Sequence, residues 1–414
     1  MLTEIFVLAL VLTTGVRLWL ASRHRSHVAA HRTEVPAAFR DTIPLDAHQK
    51  AADYTVARVS LARADVVVSA LWLLVLTLGG GLQWLFDAAG TLTGAADDES
   101  LLRDLVFVGL VTLASGLIDL PFTLFRTFVV EQRFGFNKMT VGMFFGDQLK
   151  HGLVAAAIGA PVVAAVLWIM ESLGSAWWVY AWAFWLVFSL AAMLLYPTLI
   201  APLFNKFEPM PEGELRSRIE GLLARCGFRA DGLFVMDGSR RSAHGNAYFT
   251  GFGKGKRIVF FDTLLNRLGA DEIEAVLAHE LGHYKHHHIW KRVALIAGGS
   301  LAFFALLGWL IDQPWFYEQL GLSSQGNVIA LMLFALVMPV FSFPLSPILS
   351  LMSRRHEFEA DAYAAAQTHS GWLVSALVKL YRDNASTLTP DPLYSSFYDS
   401  HPPAALRVAK LQTL

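Results

Sequence analysis

The sequence predicts a mainly α integral membrane protein, with seven transmembrane helices carrying a small water-facing α+β domain. Three observations point there. Of 414 residues, 55% are hydrophobic and 16% charged, whereas a soluble chain has about a quarter of its residues charged. The mean hydropathy is +0.45, and the apolar residues gather in blocks of roughly 17–25, the length a helix needs to cross a bilayer. Between the fifth and sixth blocks lies a long polar stretch, 198–293, and a second polar stretch, 352–414, closes the chain.

The spans are expected near 2–21, 66–86, 101–122, 152–170, 177–197, 294–311 and 328–351. The first has no basic leader, carries Glu4 and ends in "ASRHRSH" without a small-residue cleavage site, so it reads as a retained span. Span three contains Asp104 and Asp119, groups that are costly in lipid and are expected to face the interior or the interface. Span seven contains Pro339, Pro344 and Pro347 and is expected to kink.

Basic residues alternate from loop to loop. Loop 22–65 holds Arg23, Arg25, Arg32, Arg40, Lys50, Arg58 and Arg63, and loop 123–151 holds Arg126, Arg133, Lys138 and Lys150. Loops 87–100, 171–176 and 312–327 carry acidic residues instead. The positive-inside rule then places the N-terminus outside and the polar stretches in the cytosol. The expected organisation is five membrane helices in 1–197, a cytosolic domain in 198–293, two further helices in 294–351 and a cytosolic tail in 352–414. Lysine and arginine (33) nearly balance aspartate and glutamate (34), and no basic patch interleaved with aromatics suggests a nucleic-acid partner. Cys226 is the single cysteine, which excludes an intramolecular disulfide and a thiolate metal site.

Within the cytosolic stretch, "GELRSRIEGLLARCG" (213–227) has helical apolar spacing. "GLFVMDG" (232–238) is rich in strand formers, and "NAYFTGFGKGKRIVFFD" (246–262) reads as two strands joined by a glycine-rich turn. The chemistry concentrates in "EAVLAHELGHYKHHHIW" (274–290), which places five histidines within ten positions. Asp271 and Glu274 have capping-box spacing, so a helix is expected to start near 271. On that helix His279 and His283 share one face and suit a tetrahedral zinc, while Glu280 projects where it can take a proton from an attacking water. His286, His287 and His288 read as polar helix-end residues that suit the dipole.

A catalytic zinc needs a third protein ligand and an open position. The extended pattern with glycine at 286 and histidine at 289 is excluded, because the chain has His286 and Ile289. "SRRHEFEADAYAAA" (353–366) supplies a better candidate. Glu357 can ligate, and Asp361, one turn on, can accept a hydrogen bond from a ligand imidazole. His356 is expected on another face, as a surface polar group. Two membrane crossings separate His283 from Glu357 and return the chain to the same side, which lets the site assemble.

"HELGH", "RRHEFEADAYA", "EQRFGFNKMT" (131–140), "NAYFTGFGKGKRIVFFDTLL" (246–265) and "HPPAALR" (401–407) occur within one seven-span chain. Together they resemble the CAAX prenyl protease 1 (Ste24-type) family, zinc metalloproteases of peptidase family M48, over nearly the whole length. The resemblance implies one zinc per chain on His279, His283 and Glu357, Glu280 as general base and Asp361 as support for a ligand. It implies that His401 stabilises the transition state with Arg407 in support, and that Asn246, Ala247 and Tyr248 bind the substrate backbone. It also implies seven helices enclosing a chamber, with the zinc at its cytosolic end. By residues alone, Tyr248 could equally be core, and Arg407 could be a salt-bridge partner in the tail. "EQRFGFNKMT" has no catalytic set and is expected to pack near the site.

The family name implies a prenylated peptide substrate. The Ala-, Gly- and Arg-rich composition suggests a bacterial inner membrane, where membrane-protein quality control is the alternative; a eukaryotic source would imply the endoplasmic reticulum. A different function, metal transport or sensing through the histidine tract, is disfavoured because the histidines precede span six by about two turns and are interrupted by a correctly placed glutamate.

Overall fold

The computed structural model describes residues 1–95, 100–250 and 256–414. The centre of the acidic 87–100 loop and the glycine-rich turn expected at 251–255 lie outside them. Among the described residues, seven helices are long and apolar enough to cross a membrane.

The first membrane segment contains α1 (Leu2–Ala30), α2 (Leu45–Leu76), α3 (Gly81–Thr93), α4 (Leu101–Phe125), α5 (Val141–Ser172) and α6 (Trp177–Leu195). Helices α4 and α6 each run on into a π-helical turn, at Arg126–Glu131 and Tyr196–Ile200. Span two corrects the expectation. It lies on α2, which ends at Leu76, and the apolar stretch after it is a separate short helix, α3. The break comes from Gly79–Gly80–Gly81, which hydropathy cannot see. Gly80 has φ +74°, and a Cβ on Gly79 or Gly81 would meet the Val75 carbonyl at 2.8 or 2.7 Å. The first half of α2 escaped notice because it is only half apolar, burying His48, Ala51, Ala52 and Tyr54. Most of the expected 22–65 loop is therefore helical.

The α+β domain follows with β1 (Phe207–Pro209), α7 (Glu214–Arg225), β2 (Leu233–Met236), β3 (Ala247–Thr250), β4 (Arg257–Phe261), α8 (Asp262–Leu265) and α9 (Ala270–Lys285). Its four strands run in the order β1-β2-β4-β3, with β2 and β4 parallel and the two outer pairs antiparallel. Strand β1 was not expected, being three residues long and ending in proline. Helices α7 and α9 cover the sheet through Ile219, Leu222, Ile273 and Leu277, which bury against Ile258 and Phe260.

The chain re-enters the membrane region as α10 (His288–Leu310), turns through α11 (Pro314–Glu318) and returns as α12 (Asn327–Ser342). Pro344 sits in a 3-10 turn, and the chain resumes as α13 (Ser346–Gln367) with Pro347 in its first turn. Pro344 and Pro347 interrupt the α-helical ladder of span seven at that turn, while Pro339 lies inside α12 without ending it. Yet α13 does not stop at 351; it runs unbroken into the domain and carries the "HEFEAD" residues on a rod continuous with the span. The tail adds α14 (Ser370–Asp383), α15 (Pro392–Tyr398) and α16 (Ala404–Leu411), which pack on α9 and α13.

Two large cores result. One lies among the spans around Phe6, Phe107, Tyr317 and Leu333; the other fills the domain. Apolar positions on the spanning helices such as Leu12, Leu113, Leu153 and Val187 stay exposed, as expected of helices that a bilayer surrounds. Asp119 faces inward and lines a cavity of about 320 Å³ with Arg17 and Asp65, while Asp104 lies in the first turn of α4.

Candidate metal centre and active site

Helix α9 starts at Ala270, where the Gly269 backbone N–H donates to a Glu272 carboxylate oxygen at 2.7 Å. Glu272, not Glu274, therefore closes the helix start. Glu274 is turned instead toward Arg218 and Arg225, at 2.9 and 2.7 Å, and Asp271 also pairs with Arg218. Both arginines sit on α7, whose sequence gave no indication of where it docks.

Nine residues into α9, the His279 and His283 Nε2 atoms lie 3.2 Å apart. Helix α13 crosses directly over them. Its Glu357 reaches His279 Nε2 at 3.5 Å and His283 Nε2 at 3.3 Å, and the three side chains offer ligand atoms within 4.8 Å of one another. The crossing is close because of Gly282, where a Cβ would meet the Ala360 Cα at 2.8 Å. One turn further along α13, Asp361 lies 2.9 Å from His279 Nδ1. Asp361 is 1% exposed and is held from its other side by Arg407 on α16, which donates from Nε at 2.9 Å and Nη2 at 2.6 Å. Arg407 Nη1 also lies 3.4 Å from Glu357 Oε2.

His401 sits in the turn before α16, with Nε2 3.4 Å from Glu357 Oε1. Glu280, His279, His401 and Arg407 line a cavity of about 210 Å³, and Asn246 and Ala247 form part of its wall. Desolvation raises the Glu280 carboxyl pKa, opposed by the two histidines and reinforced by Glu357. Tyr248 does not line this cavity; strand alternation turns it to pack edge-on against Phe261, with ring centroids 6.2 Å apart. The carbonyl of Asn246 accepts from Phe261 N–H at 3.0 Å, so Ala247 presents its backbone to the free side of the edge strand β3.

The "EQRFGFNKMT" loop packs beside this edge as expected. Lys138 N–H donates to the Arg241 carbonyl at 3.1 Å, and Phe136 stacks on His244 at 4.3 Å. Asn384 was missed: its Oδ1 accepts from Gly245 N–H at 3.1 Å, fixing the approach to Asn246 from the end of α14. No local motif marks a single asparagine just past a helix end.

The histidine tract also departs from expectation. His287 has φ +57°, so the helix breaks after α9 and His288 opens α10. His288 is 3% exposed, lies 2.9 Å from His283 through their Nδ1 atoms and stacks on His356 at 3.9 Å. Neither His288 nor His356 is a plain surface residue.

Residues 24–206 match the family described as CAAX prenyl protease N-terminal, five membrane helices, and residues 209–414 match peptidase family M48. A CAAX prenyl protease 1 homolog from Arabidopsis thaliana is 41% identical over 335 residues, covering 80% of this chain and 78% of that one. CAAX prenyl protease 1 from Saccharomyces cerevisiae is 35% identical, covering 94% and 90% of the two chains. The crystal structure of S. mikatae Ste24p superposes with a TM-score of 0.91 at 34% identity, covering 99% of this chain and 98% of that one. This chain belongs to the CAAX prenyl protease 1 family. It is a multi-pass membrane zinc metalloprotease of peptidase family M48. The protease's own residues fit the metal that the family implies. Glu357 Oε2 is buried without a hydrogen-bond partner, and the imidazole nitrogens and carboxylate match the donors zinc prefers.

Proposed function

We propose that this protease hydrolyses peptide bonds with Glu280 as general base, on a single zinc held by His279, His283 and Glu357. The observation that supports this best is the convergence of that donor set, whose His279 lines one cavity together with Glu280 and the edge strand β3. When bound, zinc supplies a Lewis acid that polarises the scissile carbonyl and makes a water acidic near neutral pH. Glu280 takes the proton as that water attacks, and later gives it to the leaving amine. His401 donates a hydrogen bond to the developing oxyanion. Asp361 holds the ring of His279, and Arg407 acts by fixing Asp361 rather than by touching substrate. The substrate backbone adds to β3 opposite Ala247, the pairing open to any extended peptide.

The reading extends to prenylated peptides, which the names of the relatives suggest, or to membrane proteins handled in quality control. Arg32, Arg40 and Arg133, on connections of one set, support a cytosolic zinc site and an outside N-terminus, and the Ala-, Gly- and Arg-rich composition supports a bacterial inner membrane. Replacing Glu280 by Gln is expected to retain zinc and lower peptide cleavage by at least about a hundredfold. Retained wild-type cleavage would remove Glu280 from the mechanism. The same inactive variant, expressed in the native cell, should accumulate the uncut substrate, and its prenylation state read by mass spectrometry decides between the two classes.

A further inference from the structure

His279 has an evident support, since Asp361 lies against its Nδ1. His283 has no carboxylate in that position. Its Nδ1 meets His288 Nδ1 at 2.9 Å, and His288 Nε2 meets a Glu359 carboxylate oxygen at 2.8 Å. One arrangement of protons satisfies both contacts and leaves His283 Nε2 free to ligate. Glu359 accepts from the Nε2–H of His288; the bare Nδ1 of His288 accepts from the Nδ1–H of His283. Both rings are then neutral, and the His283 lone pair points at His279 and Glu357.

We propose that Glu359 and His288 form a two-step hydrogen-bonded relay that positions His283 as a zinc ligand, doing indirectly what Asp361 does for His279. The inference rests on the zinc ligation proposed above. A ligating imidazole needs its second nitrogen held, because a loose ring samples the wrong tautomer and the wrong tilt. Here the helix break at His287 supplies the geometry. Its left-handed backbone interrupts the helix, and His288, five residues after His283, faces that ring from the start of α10. His288 is then fixed on three sides: by His356 stacked at 3.9 Å and 13°, by His283, and by Glu359. Lys291, one turn along α10, lies 3.8 Å from Glu359 and anchors that carboxylate. Helix α13 thus contributes three acids within five residues: Glu357 to the metal, Asp361 to one histidine, and Glu359 to the other through His288.

The test uses the full-length protein in detergent, stripped of metal, with zinc affinity read by competition against a chromophoric chelator and geometry read by the cobalt(II) spectrum. His288→Leu should weaken zinc binding about 10–100-fold and alter the cobalt spectrum. Glu359→Ala, at a half-exposed position, should weaken it by a smaller factor. The double variant should match His288→Leu alone, because Glu359 acts only through His288. His288→Asn, which keeps an acceptor near the Nδ1 position, should recover part of the loss. Wild-type zinc affinity and an unchanged cobalt spectrum in His288→Leu would overturn the relay, as would a full further loss from Glu359→Ala in its background. Should His288→Leu fail to fold, His288→Asn and Glu359→Ala decide in its place: additive losses, or none, overturn the relay, and non-additive losses support it. His283→Ala is the control for the underlying reading. If wild type itself binds no zinc, or His283→Ala binds it unchanged, the ligation and the relay fall together.

Discussion

At the residue scale the site is governed by what surrounds each ionised group. Asp361 and Arg407 are 1% and 4% exposed, too deep for water to solvate either charge alone. They meet in a two-point contact, the geometry in which a planar guanidinium matches a carboxylate. Such a buried pair contributes little net stability, but removing one partner leaves the other uncompensated, at a cost of about 3–5 kcal/mol. Its value here is positional, since Asp361 Oδ1 also meets the His279 ring. Asp361→Asn keeps the shape and removes the charge. It is expected to lower zinc affinity by about 10–100-fold, checked by chelator competition on the metal-free protein. An affinity equal to wild type would reduce Asp361 to a packing residue.

At the scale of elements, two features bring the chemistry together. The first is the contact of α9 with α13, where Gly282 faces the Ala360 backbone with no room for a Cβ. Both partners are backbone-rigid, so Gly282→Ala must push the helices apart, with a loss of about 1–3 kcal/mol of stability. The larger effect falls on the site, because Glu357 and Asp361 ride on the displaced helix. Reduced zinc content per purified chain is the expected result, measured by metal analysis beside thermal unfolding. The second feature is β3, an edge strand paired on one side by β4. Ala247 turns its N–H away from β4, where Asn246 Oδ1 accepts it at 2.9 Å, so a proline there removes an outward donor without breaking the ladder. Ala247→Pro is therefore expected to lower kcat/KM for peptide cleavage by about tenfold, one hydrogen bond's worth, with zinc content unchanged. A loss of zinc in that variant would mean that the strand supports the metal site rather than the substrate.

For the whole molecule, the zinc set is held by a frame that does not depend on it. The span core and the domain core are both filled by apolar side chains, none of which is a ligand, and α13 belongs to a rod continuous with span seven. Chelation is accordingly expected to abolish cleavage reversibly while leaving the fold intact. Zinc binds the folded state, so adding it back should raise the unfolding temperature in a concentration-dependent way. Circular dichroism in detergent, with and without a chelator, checks both halves; a collapse of helicity on chelation would make the metal structural.

Much of this was legible in order along the chain. Hydropathy marks seven spans because a bilayer-crossing helix must be apolar over its whole length, and the alternation of loop charge is equally local. The His279–Glu280–His283 spacing is a property of one helix, and Glu357 and Asp361 of another, so both can be read from residue types. What depends on two elements meeting could not be read so. Helix α9 starts where expected, but its capping residue could not be read because Glu274 is claimed by arginines of α7, and the extent of α2 could not because a glycine break is invisible to hydropathy. His288 reads as a helix-end residue because its contacts follow from a helix break at His287 and from a carboxylate 71 residues away. Sequence alone singled out the side chains that the proposed chemistry uses, since that reading rests on local spacing and polarity. Only the tertiary structure decided which of them touch, because that depends on how closely helices can approach, and Gly282 against Ala360 sets that distance.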